Sequence, residues 1–196
     1  MLHIAHLSRD RQGAGRRVKS PEKNLLPRLL IVIAAYLITF SCYGSHIPGQ
    51  EGTADRTCNI PGTRMLDAQP RLRQYVETSM KQSAFELDAD QRNITLEAIR
   101  EASRYKHWHL LAAHVRSNHV QALVDVDISP ELVMNVFKAY ASRALNLSYP
   151  REKGRIRWTR HGSTRHLWSR QRIDAAMCYV LEKQGEPMAC YRLPAP

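Results

Sequence analysis

The sequence predicts an α+β fold in which helices pack on an antiparallel sheet of ferredoxin-like topology. Two strand-like runs, residues 107–115 and 119–126, are joined by a tight turn, and amphipathic helical patterns precede and follow them. A short apolar run, residues 29–40, can supply a first strand. At 196 residues the chain suits one domain of about 150 residues with a tail, so we look for a single site.

The start of the chain differs in character from the rest. Residues 1–28 are polar and basic, and we interpret residues 1–30 as a disordered arm preceding a folded domain over 31–196. The apolar run is shorter than the twenty or so residues that span a bilayer, so no transmembrane helix is expected. Its Tyr36, Ile38 and Phe40 alternate with Leu37, Thr39 and Ser41 as a first strand, which is largely apolar because it lies centrally in the sheet.

A basic segment before an apolar run also resembles an export signal, with Cys42 as a lipidated residue. This alternative stays open, although Thr-Phe-Ser before that cysteine lacks the small residues of a processed site. The other cysteines form no C-x-x-C pair, so we expect reduced core thiols, with a Cys178–Cys190 disulfide as the alternative for an exported chain.

Helix signals are clear in three places. Residues 44–70 have the composition of a surface loop, and the Asp88 and Gln91 capping box then begins a helix over about 89–105. Ser129 and Pro130 begin a second helix after the paired strands. Ser169 begins the last helix, which ends near Gly185.

The strand over 119–126 has one apolar and one polar face. His119 and Gln121 lie on the polar face, about 6–7 Å apart along the strand, where both side chains could converge on one divalent ion. Such a pair is more often an exposed polar face. On the last helix, Tyr179 lies beside the apolar stripe, and its ordinary role there would be packing.

Residues 151–172 combine basic and aromatic side chains, in a chain whose formal net charge is +11. Cations neutralise phosphates and indoles stack on bases, so we predict a nucleic-acid surface. The alternative is a solvated loop with Trp158 and Trp168 as core anchors. The predicted contacts are Arg116, Arg155, Arg157, Trp158, Arg160, His161, Arg165, Trp168, Arg170 and Arg172.

Several short blocks stand in an order that resembles a known family. They are Tyr43-Gly44, Pro48-Gly49, residues 116–120, Trp158, residues 161–165, Leu167-Trp168, Tyr179-Val180 and residues 184–188. Together, from about Tyr36 onward, they resemble the REP-associated tyrosine transposases, bacterial relatives of the insertion-sequence 200/605 transposases. Residues 1–30 have no recognisable counterpart.

This resemblance implies an HUH endonuclease fold and chemistry. In that family, paired histidines on a central strand hold Mg²⁺ or Mn²⁺, and a helical tyrosine attacks a phosphodiester of single-stranded DNA. The products are a 5′-phosphotyrosine link and a free 3′-hydroxyl. Carried over to this chain, His119 is the first metal ligand, Gln121 stands at the second, and Tyr179 is the nucleophile.

Two positions depart from the family's pattern. Gln121 stands where a histidine is usual, although an amide oxygen can bind a hard cation such as Mg²⁺. The third ligand is often an amide four residues after the tyrosine, where this chain has Lys183. Glu182 and Gln184 are therefore the two candidates for the third ligand.

The expected function is a cytoplasmic transposase-like nuclease acting on single-stranded or hairpin DNA, with a homodimer as a further possibility. A catalytically silent, domesticated DNA-binding protein is the main alternative, since Gln121 and Lys183 both depart from the pattern. An exported or lipid-anchored protein is a weaker alternative.

Overall fold

The computed structural model describes residues 35–45, 47–50 and 67–194. The expected arm over 1–30, Cys58 and most of the expected loop over 44–70 lie outside these residues. In chain order the elements are β1 (Ala35–Cys42), α1 (Pro70–Ser79), α2 (Ala89–Tyr105), β2 (His109–Val115), β3 (His119–Asp125), α3 (Pro130–Ser148), a 3-10 turn (Pro150–Glu152), β4 (Trp158–Leu167), α4 (Arg170–Glu182) and β5 (Ala189–Arg192).

The strands form one antiparallel sheet in the order β4-β1-β3-β2-β5. The first four strands, with α2 between β1 and β2 and α3 between β3 and β4, have the ferredoxin-like arrangement. The predicted fold class is therefore confirmed. After α4, the chain adds β5 to the free edge of β2.

The two faces of the sheet are covered unequally. On one face, α2 and α3 bury the larger core, which includes Phe40, Val120 and Phe137. On the other face α4 buries a smaller cluster, in which Leu123 of β3 meets Val180 of the helix. Since neighbouring strand residues point to opposite faces, Gln121 lies on the α4 side with Leu123.

The helix starts follow local signals in two of three cases. The capping box of α2 is complete, because Asp88 Oδ1 accepts from the Gln91 N–H (2.8 Å) and Gln91 Oε1 accepts from the Asp88 N–H (3.2 Å). Ser169 Oγ accepts from the Arg172 N–H in α4 (3.4 Å). Ser129 does not cap α3, because its hydroxyl donates to Glu131 Oε2 instead.

Three elements were not predicted. Helix α1 begins at the end of the segment expected as a loop, β4 lies inside the segment expected as a basic loop, and β5 follows the last predicted helix. Strand β4 is the edge of the sheet and only its two end residues are buried, so it lacks the apolar alternation that marks a half-buried strand.

The cysteines of the described part are free thiols, and only Cys42 is buried. The expectation of core thiols is therefore wrong for Cys178, which is half-buried, and for Cys190, which is exposed. Burial raises the pKa of the Cys42 thiol to about 12. Among the described residues, no helix has the length and apolar character needed to cross a bilayer.

Candidate active site

A cleft of about 640 Å³ opens between α4 and the sheet. Its floor includes Thr39 of β1, Gln121 of β3 and two residues of β4, Ser163 and Arg165. The α4 wall contributes Ala175, Ala176 and three polar side chains, those of Arg172, Tyr179 and Lys183. The cleft thus joins the strand and the helix on which the sequence placed its candidate residues.

A row of polar residues crosses the floor of the cleft. Ser163 pairs with Thr39, Thr39 pairs with Gln121, and Gln121 pairs with His114 of β2. Directly paired residues of antiparallel strands share a face, so all four side chains lie on the α4 side. Elsewhere this face is largely apolar, and the row therefore marks where polar chemistry is concentrated.

Gln121 is buried, with 6% of its surface exposed, and its Oε1 atom has no hydrogen-bond partner within the described part of the chain. A buried acceptor left without a donor costs about 1–3 kcal/mol, so this oxygen is suited to receive a cation or an N–H group.

His119 lies on the same face of β3, two residues before Gln121, and pairs with Ser41 of β1. Its Nδ1 donates to Asn118 Oδ1 at 2.7 Å, which fixes the orientation of the ring. The imidazole does not line the cleft. The structure therefore places His119 on the expected side of the sheet, beside the cleft and not within its lining.

Tyr179 is 44% exposed, while its neighbour Val180 is fully buried against the sheet. The tyrosine thus stands at the boundary between the buried stripe of α4 and the solvent, on the cleft side. This position leaves the phenol accessible to a bound molecule.

His114 holds the end of α4 against β2, a role that sequence reasoning missed. Its Nδ1–H donates to the Val180 carbonyl (2.8 Å), and its Nε2 accepts from the Met188 N–H (3.2 Å). Burial lowers the pKa of this imidazole, so the neutral form is favoured. The feature that could have indicated this role is the position of His114 opposite Gln121, on the polar face of the paired strands.

Neither candidate for a third ligand lines the cleft. Glu182 Oε2 accepts from Cys178 Sγ (3.3 Å), and Gln184 Nε2 donates to the Tyr179 carbonyl (3.4 Å), as a cap on the end of α4. Lys183 lines the cleft in their place. Its spacing of four residues from Tyr179, which puts both on one helical face, was a signal for this.

Within the described ranges, the cleft lining includes three cations, Arg165, Arg172 and Lys183, and no carboxylate. Among the described residues, no three His, Cys, Asp or Glu side chains are grouped as metal ligands. A buried amide, with three positive charges lining the same cleft, does not fit a resident divalent ion. The cleft fits an anion, to which the three cations supply charge and hydrogen-bond donors.

The segment 151–172 divides into buried and exposed residues. Arg160, His161, Arg165, Trp168, Arg170 and Arg172 are exposed. Arg116 and Arg155 are half-buried, and both donate to backbone carbonyls, of Glu186 and Ala84.

The expectation that Trp158 and Arg157 contact nucleic acid is corrected, because both are buried. The Trp158 indole meets Phe40 edge to face and donates to Ser142 Oγ (2.9 Å). The Arg157 guanidinium donates to Asn146 Oδ1 (2.7 Å). These two side chains anchor the start of β4 in the core.

Comparison with known proteins gives a family and a set of distant structural likenesses. A family model described as "Transposase IS200 like" matches residues 71–173. The solved structures that resemble the chain include a REP-associated tyrosine transposase bound to a REP hairpin, with 11% identity and a TM-score of 0.43 over 77% of this chain and 66% of that one. The chain thus spans just under two thirds of that relative.

A protein of Deinococcus radiodurans R1, described as a transposase, has 12% identity and a TM-score of 0.39, over 76% of this chain and 89% of its own. No curated protein matches the sequence. The family model covers more than half of the 196 residues and confirms the resemblance in the sequence. The chain therefore belongs to the IS200-like transposase family.

Proposed function

We propose that this transposase binds single-stranded or hairpin DNA at the cleft and cuts it through Tyr179. One observation carries the proposal: an exposed phenol shares a cleft with three cations, Arg165, Arg172 and Lys183. A phosphodiester is the anion that a phenol nucleophile and a cationic wall both suit.

In the proposed step, the Tyr179 oxygen attacks phosphorus and forms a 5′-phosphotyrosine bond. The bond from phosphorus to the 3′ oxygen breaks, the phenol proton passes to water, and the departing 3′ oxygen takes a proton from water to become a hydroxyl. The cleft cations stabilise the charge on the phosphoryl oxygens as it develops. Attack by the new 3′-hydroxyl reverses the step and rejoins the strand.

The exposed residues beside the cleft suit a DNA path. Arg160 and His161 lie on β4, and Trp168 precedes α4 with 65% of its surface exposed. The Trp168 indole lies on the His166 ring with the ring centroids 3.3 Å apart, so one of its faces is supported. A supported, exposed indole suits base stacking.

The test is covalent capture of an oligonucleotide. The purified protein is incubated with end-labelled single-stranded and hairpin oligonucleotides, with Mg²⁺ or Mn²⁺ and with a chelator. We expect a labelled adduct that resists denaturing electrophoresis and disappears in Tyr179→Phe. The matched control is Tyr105→Phe, which removes an exposed phenol outside the cleft. An adduct that persists in Tyr179→Phe would refute the assignment of the nucleophile.

A catalytically silent DNA-binding protein is the second candidate. It is favoured by Lys183, which lines the cleft at the position where relatives often carry a ligand amide. Salt-sensitive binding of the same oligonucleotides without any adduct, under all three conditions, would select this candidate.

A further inference from the structure

We infer that the phosphate beside Tyr179 is held by Lys183, together with Arg165 and Arg172, in place of a resident divalent metal. The inference rests on the proposed DNA-binding function and deepens it. It implies that the chain engages DNA at this cleft when no metal is present.

The donor set is the first support. A hard divalent ion favours several oxygen ligands with negative charge among them, whereas the polar floor offers a neutral amide, that of Gln121, and the imidazole of His119 lies outside the cleft lining. Three cations face the same space. A divalent ion would be repelled by all three, while a phosphate would be attracted by all three.

The position of Lys183 is the second support. It follows Tyr179 by four residues, one helical turn, and both side chains line the cleft. Within the described part of the chain, its ammonium has no hydrogen bond or ion pair, and the neighbouring Glu182 carboxylate accepts from Cys178 instead. The positive charge is thus available at the place where the phenol would meet phosphorus.

Gln121 gives the third support. Its buried Oε1 lacks a partner and faces the cleft that Lys183 lines. An ammonium carries three N–H donors, so a single lysine can donate to this amide oxygen and to a phosphate oxygen together. This arrangement accounts for a glutamine and a lysine occurring together at two positions where metal ligands are expected.

The first test measures DNA affinity apart from cleavage, by fluorescence anisotropy with a labelled single-stranded oligonucleotide. Tyr179→Phe is the background, so that no adduct forms. We expect the same affinity with a chelator as with Mn²⁺, and a loss of about tenfold in Lys183→Gln, as for one charge-assisted contact. The matched control Lys106→Gln removes an exposed lysine outside the cleft and outside residues 151–172, and it is expected to change affinity less than about twofold.

The second test rebuilds a metal site and reads metal binding directly. A double variant, Gln121→His with Lys183→Gln, is compared with the wild type. Mn²⁺ titrations are followed by electron paramagnetic resonance without DNA. We expect stoichiometric Mn²⁺ binding in the double variant and none in the wild type.

Three results overturn the inference, and they are distinguishable. If chelation weakens DNA binding by the Tyr179→Phe protein, or if the wild type binds Mn²⁺ stoichiometrically, a metal holds the phosphate although the proposed function stands. If Lys183→Gln matches the Lys106→Gln control, Lys183 is not a phosphate ligand. If no DNA binds with chelator or with Mn²⁺, the proposed function itself fails, and the inference fails with it.

Discussion

At the scale of single residues, His114 connects stability to the candidate site. It is 1% exposed, and both of its ring nitrogens are hydrogen-bonded to backbone, one to the helix that carries Tyr179 and one to the segment that leads into β5. Protonation would turn an N–H toward the Met188 N–H, which can only donate. The imidazole must therefore stay neutral for the end of α4 to keep its place.

This arrangement predicts acid sensitivity. The pKa of His114 in the folded state lies below its ordinary value of 6.5, with burial as the main cause. Below about pH 6.5 the unfolded chain takes up a proton that the folded chain does not, so the free energy of unfolding falls as the pH falls, until the folded pKa is reached. One proton accounts for a slope of at most about 1.4 kcal/mol per pH unit.

Urea unfolding between pH 7 and pH 5 measures that slope. We expect a smaller slope for His114→Asn than for the wild type, even if the variant is less stable at every pH. His109→Asn replaces an exposed histidine at the start of β2 and is expected to leave the slope unchanged. Equal slopes in all three proteins would show that His114 does not control the acid response.

Trp168 allows the DNA path to be tested at a single side chain. Base stacking on an aromatic ring contributes about 1–3 kcal/mol, so Trp168→Ala should weaken single-stranded DNA binding by about tenfold or more. Leu147→Ala, which removes an exposed apolar side chain on α3, is the control for non-specific effects. Both affinities come from the same anisotropy titration. An unchanged affinity in Trp168→Ala would exclude stacking there.

At the scale of elements, a lysine of α3 helps to hold β4 in the sheet. The Lys138 ammonium of α3 donates to the carbonyls of Thr159 (3.0 Å), His161 (3.3 Å) and Arg160 (3.4 Å), at the irregular part of the strand pairing. Gly162 follows, and a Cβ there would overlap the Met134 sulfur and the Thr39 carbonyl oxygen. The backbones of β4 and β1 are close because this residue has no side chain.

We therefore expect Gly162→Ala to destabilise the protein by about 1–3 kcal/mol, as for overpacking of a core. The measurement is the midpoint of urea unfolding. Adding Met134→Ala to Gly162→Ala should recover only part of the loss, because the Thr39 carbonyl still obstructs the new methyl group. Full recovery would show that the strand itself tolerates a side chain.

The elements that could be predicted from the sequence are those with local signals. Helix α2 has a complete capping box, and β2 and β3 have apolar faces on either side of a short turn. Strand β4 has neither: it is an edge strand whose place depends on Lys138 and β1, which are distant in sequence. Strand β5 has only four residues, too few for a periodic pattern.

The candidate site, like the fold, could be predicted from the sequence only where a local pattern marked the residue. Strand alternation put Gln121 on the polar face and helical spacing put Tyr179 off the apolar stripe, and both line the cleft. Position along the chain could not show that Arg157 and Trp158 point inward, because that depends on partners from α3 such as Asn146 and Ser142. It also could not show that Lys183 faces the cleft while Glu182 bonds to Cys178.

At the scale of the whole molecule, the sheet separates the main core from the candidate site. The α2 and α3 side holds most of the buried apolar residues, and the α4 side holds the cleft with its cations. Changes in the cleft should therefore alter binding with little effect on folding.

This separation predicts how DNA binding depends on salt. Each phosphate contact on single-stranded DNA contributes about −0.7 to the slope of log K against log salt concentration. Arg165→Gln and Arg172→Gln should each reduce the steepness by about that amount, whereas Trp168→Ala should lower affinity and leave the slope unchanged. Titrations at four or more salt concentrations give the slopes. Equal slopes in all variants would place the phosphates outside the cleft.

The bond from the Met188 N–H to His114 also bears on how the protein matures during synthesis. The ferredoxin-like strands and α4 all emerge from the ribosome before Met188, yet the imidazole that anchors that helix receives its second hydrogen bond only from this residue. In a nascent chain that has already paired β1 to β4, the end of α4, with Tyr179 on it, should thus be held in place only after residue 188 has left the ribosome.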